Sequence, residues 1–124
     1  MAKDRDKMAD VEAPPAGSIR VVNEVIASIA AMAAEAVDGV SAMDESGARH
    51  LGDWIKRQTA HRGVRVVVDN ERAIHLELFL TVDASATVDA VAGEVQDKVI
   101  EAVSRMLGLE VAEVNVFVSS VAFA

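Results

Sequence analysis

The chain has 124 residues, a formal net charge of −8 and no cysteine. Its length is enough for one domain around one hydrophobic core. The acidic balance argues against a general nucleic-acid binder, which needs a basic face, and against unaided adsorption to an anionic membrane surface. Without cysteine, disulfides, thiolate nucleophiles and cysteine-based metal sites are excluded.

The first residues differ in composition from the rest of the chain. Residues 1–16 combine charged residues, alanine and the Pro14–Pro15 pair, so we expect a disordered tail there and a single folded domain over residues 17–124. This N-terminus has no apolar core of a secretion signal, and no apolar run approaches the roughly 20 residues of a membrane-spanning helix. We therefore expect a cytoplasmic protein that does not insert into membranes directly.

The first elements are predicted from a change in apolar spacing. Ser18–Val21 alternates and predicts a short strand. The following alanine-rich segment predicts a helix that ends at Asp38-Gly39, before a second short strand over Val40–Met43. The predicted apolar face of this helix comprises Val22, Val25, Ile26, Ile29, Ala33, Ala36 and Val37.

The middle of the chain contains one irregular segment and one hairpin. Residues 44–62 lack a clear period, although Leu51, Trp54 and Ile55 could form a helical turn that docks on the body. Residues 63–68 and 73–82 predict two antiparallel strands around a polar turn. In the second strand, one face carries Ile74, Leu76, Leu78, Leu80 and Val82, and the other carries His75, Glu77, Phe79 and Thr81.

The last third of the chain predicts a long amphipathic helix followed by a strand. Apolar residues recur at helical spacing at Val88, Val91, Val95, Val99, Val103 and Met106. Gly108 is placed to end this helix in the left-handed conformation, and Val114, Val116 and Val118 then alternate as one face of a strand. The element order is β-α-β-β-β-α-β. It predicts an α+β two-layer sandwich with two helices on one face of a mostly antiparallel sheet.

We find no convincing catalytic pattern in the sequence. His75 and Glu77 have a spacing that could supply two metal ligands from one strand face, but polar residues are expected on an exposed face anyway. Ser85, His75 and Asp83 could form a triad on paper, without the glycine turn that positions a nucleophile. Isolated glycines such as Gly47 and Gly52 do not form a phosphate loop. We predict no enzyme activity, no cofactor and no metal.

The charge distribution suggests one candidate interaction surface. Residues 49–72 carry a local charge of +3, which leaves −11 for the remainder of the chain. The simpler interpretation is a solvated loop. The sharper hypothesis is a basic patch containing Lys56 and Arg57, anchored by Trp54, that docks on an acidic surface such as a second copy of this chain.

Phe79 and Phe117 suggest a second candidate surface. Both lie on the strand face opposite to the aliphatic one, where polar residues are expected. With Val67 they could form an apolar strip on an open sheet, as in a protein-binding surface. The alternative is that segment 44–62 folds over this face and buries both rings.

Several segments together resemble the alkaline shock protein (Gls-type) envelope stress response family of bacteria. The opening part is similar in its Gly-x-Ile-x-Val and Glu-Val-Ile pattern, which closes on Asp38-Gly39-Val40. The final block is more specific: a Val-Gln-x-x-Val helix closes on Met-x-Gly-Leu-x-Val and continues into Val114-Asn115-Val116. The resemblance covers residues 17–123. Family members often carry a Tyr-Gly pair where this chain has Val82-Asp83-Ala84.

The resemblance implies a non-enzymatic cytoplasmic protein of cell-envelope homeostasis. Such proteins self-associate and are held at the inner face of the membrane by a membrane-anchored partner, and they offer no catalytic residues to carry over. A small ligand- or RNA-binding α+β module is the alternative, although only Phe79 and Phe117 could stack bases and the net charge opposes binding. A metal enzyme that uses His75 and Glu77 is a third.

Overall fold

The computed structural model describes residues 16–45 and 58–123 of the chain. Its elements in chain order are α1 (Ala16–Glu35), β1 (Val40–Met43), β2 (Gln58–His61), β3 (Val64–Val68), β4 (Ile74–Asp83), α2 (Val88–Leu107) and β5 (Val111–Ala122). Both helices pack on one face of a five-stranded sheet, and the core lies between the two layers. The predicted α+β sandwich is confirmed.

Strand β4 organises the sheet because three other strands pair with it. β3 pairs antiparallel with Ile74–Leu78, and β1 pairs antiparallel with Leu80–Val82. Between these two pairings, the N–H of Phe79 donates to Gly63 O at 2.9 Å and its carbonyl accepts from Asp44 N–H at 2.7 Å. β5 runs parallel to the whole length of β4. It therefore occupies the edge of β4 that β1 and β3 leave open.

The parallel pairing of β4 and β5 requires a crossover, which α2 provides. As predicted, its buried face consists of Val91, Val95, Val99 and Val103. The terminal residues Val88 and Met106 of the same stripe are 42% and 64% exposed, because they reach the ends of the sheet. Gly108 ends the helix in the left-handed conformation at φ 67°, also as predicted.

The predicted strand at Ser18–Val21 is wrong, because α1 begins at Ala16. β-branched residues favour strands locally, but adding a residue to an existing helix gains a hydrogen bond at little further entropic cost. Both edges of β4 are already paired with other strands. The helix therefore extends back to the residue after Pro15.

The buried face of α1 also differs from the prediction. The face against the sheet is mostly alanine, and Val22, Val25 and Met32 are 50%, 43% and 56% exposed. The buried apolar residues are Ile26, Ala27, Ala30, Ala31 and Ala34 of the helix and Val37 just after it, and Asn23 is buried as well. Alanine is only weakly hydrophobic, so the sequence pattern assigned the core-facing side of the helix to its larger apolar residues. Small side chains, however, let the helix approach the sheet closely.

Two strand boundaries differ from expectation. β2 lies inside the predicted irregular segment and pairs antiparallel with β3. Its sequence, Gln-Thr-Ala-His, has no apolar alternation. β5 is longer than predicted, and the register shifts leave Ala112 and Ser119 as extra residues opposite β4.

Candidate functional site

The candidate site is the open face of the sheet, which we define as the face opposite to the two helices. Alternation along β4 separates the two faces as predicted. Its residues under the helices are all buried, namely Ile74, Leu76, Leu78, Leu80 and Val82. Its open-face residues are His75, Glu77, Phe79 and Thr81, of which Phe79 alone is buried.

The parallel register of β5 places a partner beside each of these side chains. Glu113 lies beside His75, Phe117 beside Phe79, and Ser120 beside Thr81. The two hydroxyl oxygens of the last pair are 2.7 Å apart. The open face is therefore a series of cross-strand rows, charged at the start of β4, aromatic in its middle and hydroxylic at its end.

His75 lies between two carboxylates in the first row. Its Nε2 is 2.8 Å from Oδ2 of Asp69, and its Nδ1 is 2.7 Å from Oε1 of Glu113. The hydrogen bond with Asp69, and after it the one with Glu113, raises the pKa of His75. In turn, the hydrogen bond to His75 lowers the pKa of the Asp69 and Glu113 carboxyls. Both ring nitrogens can donate simultaneously in the imidazolium form alone. The row therefore favours a charged histidine that links three parts of the sheet.

The turn between β3 and β4 positions Asp69 for this contact. Its Oδ1 accepts the backbone N–H groups of Glu71 at 2.8 Å and Ala73 at 2.9 Å. This is the local side-chain-to-backbone bonding typical of aspartate in turns. The other oxygen, Oδ2, is left facing His75.

Glu77 is engaged by a different cation. Arg65 of β3 donates to Glu77 across the strand pair, and these two side chains are 12% and 19% exposed. Partial burial lowers the pKa of the Arg65 guanidinium. Glu77 and His75 share the open face as predicted, but each is bound to other side chains. Within the described residues, no group of three His, Cys, Asp or Glu could hold a metal ion.

The triad drawn on paper from Ser85, His75 and Asp83 is not assembled. His75 is the second residue of β4 and Asp83 is the last of its ten residues. At about 3.3 Å per residue, these positions are roughly 26 Å apart. Ser85 follows the distant end of the strand, so it lies far from the imidazole as well.

Phe79 and Phe117 form the central row of the open face. Their rings stack with centroids 5.0 Å apart and an interplanar angle of 17°. Phe79 is 5% exposed and Phe117 is 43% exposed. The apolar strip is thus half covered, and Phe117 is its accessible part. A base could stack on one ring rather than two, which weakens the RNA-binding alternative.

The predicted basic patch is described in part. Trp54, Lys56 and Arg57 lie outside the described residues, as do Leu51 and Ile55, the residues expected to cover Phe79. Arg62 lies 3.3 Å from Glu35, and Arg65 pairs with Glu77. Part of the local positive charge is therefore balanced within the fold.

Sequence reasoning missed the apolar character of the end of β5. Val121 and Phe123 are 43% and 81% exposed, in addition to Phe117. One signal was available, because the run from Val114 to Ala124 contains no charged residue in a chain of net charge −8. The sequence also provided no role for Gln96, whose Nε2 donates to the carbonyl of Val114 at 2.9 Å.

Comparison with known proteins identifies one family and two similar proteins. The model of the alkaline shock protein 23 (Asp-23) family, which is described as having a cell envelope-related function, matches residues 12–123. The uncharacterized protein YloU of Bacillus subtilis (strain 168) is 33% identical over 107 residues, which covers 85% of this chain and 88% of YloU. The uncharacterized protein YqhY of the same organism is 26% identical over 107 residues, 86% of this chain and 78% of YqhY.

No solved structure matches the chain. Among the helices that the structure describes, none is both long and apolar enough to cross a membrane.

Proposed function

The chain belongs to the alkaline shock protein 23 family, whose function is cell envelope-related, and we propose that it acts without catalysis in the envelope stress response. Its action is to self-associate and to bind a membrane-anchored protein. It works in the cytoplasm and reaches the inner face of the cell membrane through that partner.

One observation carries this proposal: large apolar side chains along the second half of β5 and just after it are exposed, with Phe117 on the open face and Val121 on the other face of the sheet. Phe117, Val121 and Phe123 are all large apolar residues with at least 43% exposure. An apolar surface next to polar rows is typical of a protein-binding site. The polar side chains in the first half of β4 are engaged within the fold: His75 binds Asp69 and Glu113, and Glu77 binds Arg65.

The net charge supports a protein partner over a lipid surface. At −8 the chain is repelled by anionic headgroups, so adsorption to the inner leaflet would be opposed at physiological salt. A membrane-anchored protein can offer an apolar or basic surface instead.

Binding to inside-out membrane vesicles from a bacterium that has a protein of this family tests whether the chain binds a membrane-anchored protein. The purified chain should co-sediment with native vesicles. Binding should be lost after the vesicles are treated with protease, and liposomes made from the extracted lipids should bind none. Binding to the liposomes, or equal binding to protease-treated vesicles, would contradict a protein partner.

Sedimentation velocity over a concentration series tests self-association. The wild-type chain should shift towards larger species with concentration. Phe117→Ser should shift less, because it removes an exposed apolar side chain from the open face. Met106→Ser is the matched control, since Met106 is an apolar side chain that is 64% exposed and belongs to α2 rather than to β5. A monomer at every concentration would contradict self-association, whatever the vesicles bind.

A further inference from the structure

We infer that β5 is the self-association surface, and that it pairs antiparallel with β5 of a second copy about a two-fold axis at Phe117. This inference rests on the proposed self-association and adds its surface, its register and its symmetry. The open face of one copy then continues into the open face of the other.

The backbone orientation of β5 follows from one hydrogen bond. The carbonyl of Val114 accepts from Gln96 of α2, so it points away from β4. Because backbone groups alternate along a strand, the N–H and C=O groups of Val116 and Val118 point the same way. No strand in the described part of the chain pairs with that edge. These groups form a short template for another strand.

Two features limit how much of this edge can pair. At one end, Gln96 already occupies the carbonyl of Val114. At the other end, the extra residue Ser119 interrupts the regular strand, and such bulges oppose edge pairing. The regular open edge that remains is centred on Phe117. On the α2 side, a Cβ added at Gly93 would meet nothing within 4 Å, which leaves open space one turn from Gln96.

An antiparallel pair centred on Phe117 is self-complementary. Val116 of each copy lies opposite Val118 of the other, where the two outward-facing residues exchange backbone hydrogen bonds. Phe117 then lies opposite Phe117 of the other copy in a non-hydrogen-bonded pair, with the two Cα atoms about 4.5 Å apart. Within each copy Phe117 stacks on Phe79. The pairing therefore produces a continuous row of phenylalanine rings and covers the 43% of Phe117 that is exposed.

The absence of charge identifies a second copy as the occupant. The chain carries −8, yet residues 114–124 contain no charged side chain. Like charges directly opposite one another destabilise a strand pair, and this segment brings none together. A two-fold interface requires one surface to fit itself, which an uncharged strand with its aromatic residue on the axis does.

Disulfide cross-linking tests the register directly, because the natural chain contains no cysteine. Phe117→Cys places two cysteines opposite one another at a separation that a disulfide can span. Ser41→Cys is the matched control, since it puts a cysteine at an exposed position of β1. At equal concentration and under mild oxidation, Phe117→Cys should form at least about ten-fold more covalent dimer than the control.

A second variant leaves the aromatic row in place. Val118→Pro removes an outward N–H, so it costs two hydrogen bonds per dimer and leaves the ladder with β4 intact. The dimer Kd should rise about ten-fold or more, and the far-ultraviolet circular dichroism of the monomer should be unchanged.

The outcomes separate this inference from the proposed function. If the wild-type chain self-associates but Phe117→Cys cross-links no better than Ser41→Cys, association uses another surface and the inference is overturned. An unchanged Kd for a folded Val118→Pro would overturn it too. In both cases the proposed function stands. A wild-type monomer at all concentrations would overturn both the inference and the proposed self-association.

Discussion

Two glycines show at the residue scale how local space decides the effect of a substitution. Gly39 follows α1 with a φ of +100°, and an added Cβ there would lie 2.7 Å from Cγ2 of Val91. Gly93 lies inside α2, where an added Cβ would meet nothing within 4 Å. Backbone strain and a clash therefore coincide at the first position, and neither is present at the second.

Alanine at these two positions should have opposite effects. Gly39→Ala should lower the free energy of unfolding by about 1–3 kcal/mol, because it combines an unfavourable φ with contact against a core valine. Gly93→Ala should raise it by about 0.5–1 kcal/mol, because glycine is a poor helix former. Urea unfolding of both variants checks the pair. Equal signs would contradict the described environments.

His75 should make the stability of the protein depend on pH above neutrality. Its pKa is raised by Asp69 and Glu113, so its links contribute stability that is fully present below the unfolded pKa, about 6.5. That contribution is lost as the pH rises through the raised value. The lowered pKa of the two carboxyls works in the opposite sense, since their contribution is lost as the pH falls through those values.

Urea unfolding of wild type and His75→Gln between about pH 6 and pH 9 tests this dependence. The wild-type chain should be the more stable at the acidic end, and the difference should shrink towards the alkaline end. His61→Gln is the control, because it keeps His75 and both carboxylates and should follow the wild-type decline. Parallel curves for wild type and His75→Gln would show that the links contribute nothing.

At the element scale, Gln96 joins α2 to β5 by a bond that helix periodicity does not reveal. Its side chain donates to the Val114 carbonyl at 2.9 Å, on the flank of a helix whose valines face the core. The contact satisfies an edge carbonyl and holds the crossover helix against the strand it leads into.

Gln96→Glu should therefore destabilise the fold by about 1 kcal/mol or more. The two side chains have the same shape, but a carboxylate cannot donate and would face a carbonyl oxygen. Lys98→Gln is the control at a nearby exposed position, because it makes the same change of −1 in net charge and removes no such bond. Chemical unfolding measures both, and equal stabilities would argue against a structural role for the Gln96 amide.

At the scale of the whole molecule, net charge should govern how self-association responds to salt. Two copies of a chain with net charge −8 repel one another, and ions screen that repulsion over about 10 Å at 0.1 M. If the uncharged end of β5 forms the contact, raising sodium chloride from about 0.05 to 0.5 M should strengthen association several-fold.

The direction of this salt effect distinguishes two surfaces. Docking of the basic segment 49–72 on an acidic surface would weaken as salt rises, because screening removes the attraction. Sedimentation at both salt concentrations gives the direction. Chloride is used rather than sulfate, since sulfate strengthens apolar burial by itself. Weaker association at high salt would favour the segment containing Lys56 and Arg57 over β5.

The sequence predicted elements whose period is strong and local. β4 was found with both faces correct, because aliphatic residues recur at every second position from Ile74 to Val82. α2 was found because its valines recur at helical spacing up to Gly108. β2 was missed because Gln58–His61 has no apolar face to detect. The start of α1 was wrong because residues 18–21 alternate like a strand, whereas helix extension after Pro15 prevailed.

The same contrast holds for the candidate site. Phe79 and Phe117 were placed on the open face from their position in two alternating strands, and the register of β4 and β5 then stacked them. The salt link of Arg65 with Glu77 and the bridge from His75 to Asp69 and Glu113 were not predicted. These contacts join strands and turns that lie far apart in the chain, so no local pattern encodes them.

Hydrophobic periodicity depends on neighbouring residues, so the amino-acid sequence was sufficient to predict the α+β class, the two different faces of β4 and the helix that precedes β5. Family membership followed from the same last third of the chain. Only the three-dimensional structure shows that β5 runs parallel to β4 with its other edge unpaired by any described strand, that alanine rather than valine faces the sheet in α1, and that one phenylalanine is buried while the other is exposed. Each of these depends on which surfaces meet in three dimensions, and that is set by packing across the whole core.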